Sequence, residues 1–169
     1  MNTMIKKIVE DAINEQIKNE LHSAYLYLSM SAYCESINMA GSAHWLRSQY
    51  EEEVSHAMRL FDYLNNRGGR VVLQTIEQPP KDFKSLADIF ETVLAHEQKV
   101  TNMINQLFEL AVKENDYPTQ VELQWFIMEQ VEEENTASEI VEKLKIIGDQ
   151  GTALFMLDKH LGKRGAEHE

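Results

Sequence analysis

Hydrophobic residues recur along most of this chain at alternating steps of three and four, the spacing that places side chains on one face of an α-helix. Glycine and proline, which interrupt helices, are few and cluster at a handful of places. The pattern predicts four long helices and a short fifth one, at residues 3–38, 42–67, 85–115, 118–147 and 152–161. We therefore expect an all-α four-helix bundle that forms one domain over residues 1–169.

The longest predicted connection, residues 69–84, separates the second helix from the third. Fully extended, a segment of this length reaches about 50 Å, which is enough to run the whole length of a bundle. The other joints are short, and short joints connect antiparallel neighbours. We therefore expect two helical hairpins joined by one long crossover, with the second and third helices parallel. The only strand-like stretch, residues 71–73, lies in this crossover.

A carboxylate interrupts the hydrophobic face of each long helix near its middle. In the second helix, for example, Glu53 lies on the same face as Leu46 and Leu60. Six polar residues share this placement: Glu20, Glu53, His56, Glu97, Gln130 and Glu133. A buried, unpaired carboxylate costs several kcal/mol, and like charges in proximity raise that cost. No lysine or arginine lies on these faces, so the carboxylates are either solvated or bound to a cation.

A bound cation would explain all four carboxylates together. An oxygen-rich set with a single imidazole and no thiolate suits iron or manganese better than copper. Four negative charges also balance two divalent ions better than one. Glu20, Glu53 and His56 can bind a first metal. Glu53 can then bridge to a second metal that is held by Glu97 and Glu133, close to the glutamine of the fourth helix.

These motifs together resemble the bacterial non-haem ferritins, a branch of the ferritin-like di-iron family. The stretches that carry the resemblance are NEQIKNELHSAYLYLSM, EEEVSHAMRLFDYL, AHEQKV and WFIMEQVEEE, one from each long helix. The resemblance implies that the six polar residues form a di-iron ferroxidase centre. It also implies that Tyr27 lies beside the centre and takes part in catalysis, with Trp125 as a nearby aromatic residue.

Differences between this chain and two related families favour the bacterial non-haem ferritins. Bacterioferritins carry a second Glu-x-x-His motif in the fourth helix, where this chain has Gln130 and Glu133. They also carry a haem-ligating methionine at the position of Val54, so no haem is expected here. Rubrerythrins add a cysteine-rich iron domain, whereas this chain has a single cysteine, Cys34, which also rules out an internal disulfide.

A second acidic set accompanies the six residues and consists of Glu52, Glu129 and Glu132. In the bacterial non-haem ferritins such residues help to form a third iron site on the cavity side. An acidic face exposed to solvent is an equally good explanation of the same residues, and the sequence leaves both open.

The resemblance implies a function in iron storage and detoxification. A cage of twenty-four subunits would oxidise Fe(II) to Fe(III) with dioxygen or hydrogen peroxide and store the ferric mineral inside. The chain would then be a ferroxidase as well as a storage protein. The apolar side chains of the fifth helix have too few partners in a single subunit and would be buried between subunits of this homo-oligomer: Ala153, Leu154, Phe155 and Leu157.

Two other functions use the same observations. A di-iron or manganese–iron oxygenase that acts on an organic substrate would need similar ligands, although such enzymes generally keep a second histidine where this chain has Gln130. A metal-free scaffold bundle would leave the carboxylates on the hydrophobic faces unexplained.

The net charge of the chain excludes some classes of binding partner. There are 28 acidic against 16 basic residues, and the formal net charge of −12 argues against nucleic acid or an anionic membrane as partner. No apolar run approaches the roughly 20 residues that cross a bilayer, and the acidic first helix is unlike a signal peptide. We therefore expect a cytoplasmic protein.

Overall fold

The computed structural model describes residues 4–166, and the regular structure within this range is entirely helical. The helices are α1 (Lys7–Ser36), α2 (Ala40–Asn66), α3 (Leu86–Lys113), α4 (Tyr117–Ile147) and α5 (Gly151–Leu161). The predicted all-α fold is confirmed, while the first residue of the predicted first helix, Thr3, lies outside the described residues. The strand-like stretch at residues 71–73 forms no strand. None of the described helices has the length and apolar character that crossing a membrane requires.

The core of the bundle is divided into two apolar clusters, one near each end. One cluster contains Leu46 near the start of α2 and Phe90 near the start of α3. The other contains Leu60 and Ile104, which lie further along the same two helices. Since α2 and α3 enter and leave the clusters in the same order, they are parallel, as the length of the crossover predicted. Buried polar side chains fill the middle of the bundle between the clusters.

Each short joint turns at an asparagine in the left-handed region of backbone space. Asn38 has a φ of 59° and Asn115 has a φ of 54°, and asparagine tolerates this region better than most residues with a Cβ. Asp116 then caps α4 by accepting a hydrogen bond from the Thr119 amide at 3.1 Å. The same carboxylate binds Arg67 at the end of α2 at 2.8 Å. This ion pair ties the end of one hairpin to the turn of the other.

The crossover between α2 and α3 is held against α1 by side-chain hydrogen bonds. Asn14 donates to the carbonyl of Arg70 at 2.9 Å and accepts from the amide of Val72 at 2.8 Å. Further along α1, Ser29 donates to the carbonyl of Pro80 at 2.6 Å. The crossover therefore follows α1 along the bundle, as a connection between parallel helices must.

Helix α5 packs against the start of α2 through a close backbone contact. The carboxylate of Asp158 accepts hydrogen bonds from the amide and the hydroxyl of Ser42, both at 2.7 Å, and from the Gly41 amide at 3.1 Å. A Cβ on Gly41 would lie only 1.7 Å from the carbonyl oxygen of Asp158. The predicted second helix begins after Gly41, whereas α2 begins at Ala40 and includes this glycine. Gly41 is therefore required for the close packing of α5, and it does not mark a break between helices.

We expect Gly41→Ala to lower the melting temperature by several degrees. The new methyl group must displace the backbone of α5, and overpacking of this kind costs about 1–3 kcal/mol. In a chain of this size, each kcal/mol shifts the melting temperature by about 2–4 °C. The measurement is a thermal scan by circular dichroism.

Gly151→Ala is the matched control, because a Cβ there meets nothing within 4 Å. Alanine favours helix over glycine by up to about 1 kcal/mol, so this variant should melt at the wild-type temperature or slightly above it. If both variants melted alike, the close approach of α5 to Gly41 would be contradicted.

Candidate metal centre

The polar layer at the middle of the bundle brings together one carboxylate from each long helix. Glu20, Glu53, Glu97 and Glu133 come from α1, α2, α3 and α4, and none of them is more than 7% exposed. Their helical faces are otherwise apolar, so the packing of the two clusters above and below fixes their depth. The structure thus places all four residues in the core, where the interrupted faces predicted them.

Three of the predicted ligands converge on one point. Carboxylate oxygens of Glu20 and Glu53 and a ring nitrogen of His56 lie within 4.8 Å of one another. The Nδ1 atom of His56 is 3.3 Å from Oε2 of Glu53, one helical turn away. In the described part of the chain, Oε2 of Glu20 is the one buried side-chain oxygen or nitrogen without a hydrogen-bond partner. A cation between these residues would satisfy that oxygen.

The other half of the layer is arranged around Glu97. Tyr27 donates a hydrogen bond from its hydroxyl to Oε1 of Glu97, and Gln130 donates from its amide to Oε2 at 3.1 Å. Glu133 instead lies within 4.8 Å of His56 and Glu129. His56 therefore belongs to two groups of three, whereas Glu97 is in neither of them and has its two oxygens held by hydrogen-bond donors.

Burial dominates the electrostatics of the layer. It raises the pKa of Glu20 and of Glu53 well above the ordinary carboxylate value, and neighbouring carboxylates add to the effect. Burial also raises the pKa of Glu97, and together with the charge of Glu97 it raises the pKa of Glu133 to about 8. The layer consequently holds protons at neutral pH, and these are the protons that a metal ion would displace on binding.

Only one member of the second acidic set, Glu129, lies close to the centre. Glu129 is half-buried, its Oε1 lies 3.8 Å from Nε2 of His56, and burial raises its pKa. Glu52 is exposed and pairs with Arg164 at 2.7 Å. Glu132 is exposed too and, among the described residues, joins neither group of three. Of the possible third iron site, the structure therefore places one carboxylate at the centre and two at the surface.

Aromatic rings cover the outer side of His56. The ring of Trp125 lies 5.3 Å from the imidazole and that of Phe126 lies 6.1 Å away, both nearly perpendicular to it. The guanidinium of Arg59 stacks 4.2 Å above Trp125. These contacts limit the rotation of His56 and exclude water from one side of the centre, which places Trp125 where the resemblance implied an aromatic residue.

Two buried glutamines hydrogen-bond to carboxylates of the layer and were not predicted from the sequence. Gln16 donates to Oε1 of Glu20 at 3.0 Å. Gln49 donates to Oε2 of Glu133 at 2.7 Å and to Oε1 of Glu53 at 3.3 Å. Each glutamine precedes a carboxylate of the layer by four residues, and residues at this spacing are neighbours on a helix. The repeated Gln-x-x-x-Glu spacing in α1 and α2 is the signal that could have identified both.

Known ferritins are similar to this chain in both sequence and fold. The family described as a ferritin-like domain matches residues 10–147. A bacterial non-haem ferritin of Campylobacter jejuni is 42% identical over 158 residues, which cover 94% of this chain and 95% of the relative. One from Bacteroides fragilis is 42% identical over 161 residues, which cover 95% and 100%.

Structural similarity points the same way. The crystal structure of an open-pore ferritin from the archaeon Archaeoglobus fulgidus superposes with a TM-score of 0.94 at 48% identity, covering 95% of this chain and 99% of the other. The predicted resemblance to the bacterial non-haem ferritins is thereby confirmed. The chain belongs to the ferritin family.

Proposed function

We propose that this protein stores iron by oxidising Fe(II) to Fe(III) in the carboxylate layer and depositing ferric mineral inside a homo-oligomeric cage. The observation that carries the proposal is the unpartnered Oε2 of Glu20, buried within a group that also contains Glu53 and His56. A buried oxygen without a partner is costly, and a divalent cation is the partner that these three side chains are suited to bind. The relatives named above are bacterial non-haem ferritins of the same family, which supports a role in iron storage for this chain.

Different side chains of the layer would bind two neighbouring Fe(II) substrate ions. Glu20, Glu53 and His56 would hold one of them, and Glu53 would reach the second together with Glu97 and Glu133. Two Fe(II) ions each lose one electron to dioxygen, which takes up two protons and leaves as hydrogen peroxide. Carboxylates favour the more highly charged ferric product, so the layer itself makes the oxidation more favourable.

Neutral donors complete the centre without adding charge. Gln130 and Tyr27 hold Glu97 by hydrogen bonds, and Gln49 holds Glu53 and Glu133. A neutral amide such as Gln130 is a weak ligand, and a weak ligand at one side of the centre would allow the ferric product to leave. Release is what a storage protein requires and what an enzyme with a permanent metal cofactor must avoid.

Exposed apolar side chains support assembly into a cage. Phe155 and Met156 on α5 are each 67% exposed, and Ile146 near the end of α4 is 83% exposed. The expectation for Leu157 was wrong, because it is buried in the core of its own subunit, and Leu154 packs against the same cluster. Large apolar side chains clustered at one end of a subunit are typical of a protein–protein contact. We propose that neighbouring copies cover them in a cage of twenty-four subunits.

Aerobic loading of the metal-free protein with Fe(II), followed by size-exclusion chromatography, tests both parts of the proposal. We expect a species of several hundred kDa that retains many more ferric ions than the two per chain that the centres hold. Ferric absorbance should develop in step with oxygen consumption. A stable monomer or dimer at micromolar concentration would contradict the cage, and retention of only two irons per chain would indicate an enzyme with resident metals.

A further inference from the structure

Arg164, in the segment that follows α5, reaches back to α2 and contacts it at several points. Its Nη1 donates to the carbonyl of Trp45 at 3.0 Å, and its Nη2 donates to Oε1 of Gln49 at 3.0 Å and to Glu52 at 2.7 Å. The guanidinium also lies 4.5 Å above the ring of Trp45. A planar guanidinium with five donors is the one side chain that can make these contacts at once.

The contact with Gln49 determines which way its amide group faces. Arg164 can only donate, so the amide oxygen of Gln49 must face Arg164 and the amide nitrogen must face the carboxylate layer. There the nitrogen donates to Glu133 and to Glu53, which belong to different helices. Gln49 is 1% exposed, so water is not at hand to replace Arg164 as a donor to the oxygen.

We propose that Arg164 is a positioning residue of the metal centre and acts through Gln49. Arg164 contacts neither Glu53 nor Glu133, and it fixes their hydrogen-bond donor through the amide of Gln49. The carboxylate that it does contact is Glu52, of the second acidic set. Without Arg164 the amide can turn, which would bring its oxygen against two carboxylates or leave their hydrogen bonds unmade. This inference rests on the proposed function, because it assigns the role with respect to metal ions bound at that site.

Binding of Co(II) to the metal-free protein tests the proposal without relying on iron oxidation. Arg164→Met keeps the apolar contact with Trp45 but removes every donor. Loss of a hydrogen bond that orients a metal ligand typically weakens metal binding by about 10–100-fold. Gln49 makes that bond and Arg164 acts one contact further out, so we expect a decrease at the lower end of this range, about 10-fold. The visible absorption bands of bound Co(II) should also change, since they report the arrangement of the ligands.

Lys163→Met is the matched control, because it removes the same charge from an exposed neighbouring residue. It should bind Co(II) as the wild type does. Arg164→Lys is a second variant, which retains the charge but cannot make all the contacts of the planar group. It should also weaken binding, which separates positioning from net charge.

A double-mutant cycle with Gln49→Met decides whether Arg164 acts through the amide. In the Gln49→Met background, Arg164→Met should cause no further loss of Co(II) affinity. Equal, additive losses would overturn the proposal, as would wild-type affinity and spectrum in Arg164→Met. If the wild-type protein itself bound no Co(II) in the layer, the proposed function would fail instead, so the two failures are distinguishable.

Discussion

Glu53→Ala and His56→Ala should each slow the initial oxidation of Fe(II) by at least about 100-fold, the upper end of what loss of an outer partner of a metal ligand causes. Both side chains are almost fully buried in the group with Glu20, and each contributes one of its three converging ligand atoms. Glu53 should be the more sensitive position, since it is the carboxylate expected to reach both ions. The measurement is the oxidation rate in stopped flow, with no more than two Fe(II) per chain.

Glu51→Ala is the control for this pair of variants. Glu51 is exposed on the same helix, and its carboxylate lies 3.9 Å from Arg47, away from the layer. Its removal should leave the initial rate within a factor of about two, as expected for a solvated surface pair. A comparable loss of rate in Glu51→Ala would show that the wrong face of α2 had been assigned to the centre.

The double variant Glu97→Gln/Glu133→Gln should lose iron oxidation and, without metal, melt at the same temperature as the wild type or higher. Both carboxylates are buried and close to others of the same charge, and replacing buried charged groups by neutral ones is often neutral or stabilising by about 1–4 kcal/mol. Glutamine keeps one oxygen, which can accept from Tyr27 at position 97 and from Gln49 at position 133. The bond from Gln130 to the second oxygen of Glu97 is lost, but the same amide also donates to the Glu97 carbonyl and to Thr101.

The raised pKa of Glu133 also predicts the direction in which stability changes with pH. The pKa of Glu133 rises from the ordinary 4.5 to about 8 on folding, so the folded protein binds more protons than the unfolded chain between these values. The contribution of Glu133 to the free energy of unfolding of the metal-free wild type should therefore be fully present below about pH 4.5 and be lost as the pH rises through about 8. The double variant should show a smaller decrease over the same range.

With metal bound, the wild type should have the higher melting temperature of the two proteins. A ligand that binds only the folded state at 100 times its Kd stabilises that state by about 2.7 kcal/mol. Zn(II), which cannot be oxidised, should consequently raise the melting temperature of the wild type much more than that of the double variant. A clearly lower melting temperature of the metal-free double variant would show that the carboxylates stabilise the fold themselves.

The sequence was informative wherever the relevant signal lies within one helix. A carboxylate on an apolar face is visible from spacing alone, and this was enough to place Glu20, Glu53, Glu97 and Glu133 in the core. The length of the crossover likewise predicted that α2 and α3 are parallel. Both inferences depend on local periodicity or on chain length, and neither requires knowing how the helices are rotated against each other.

Contacts between distant elements could not be predicted in the same way. Arg164 is 115 residues away from Gln49 in sequence, and Tyr27 is 70 residues away from Glu97. Whether such side chains meet depends on the rotation and crossing of packed helices, which no local pattern encodes. Gly41 illustrates the same limit, because its local preference indicates a break whereas a tertiary contact with α5 determines its role.

The cap that Asp158 supplies to α2 has a consequence for the order of folding. The chain is synthesised from its N-terminus, so α1 and α2 emerge and can pair well before Asp158, which is 116 residues beyond Ser42. Until α5 arrives, the first amides of α2 have only water as a partner, and the start of the helix is free to fray. The first hairpin thus reaches its final hydrogen bonding only after the last helix has been made. A nascent or prematurely terminated chain would present α2 with an open end, a local difference from the finished subunit that proteases and chaperones can recognise.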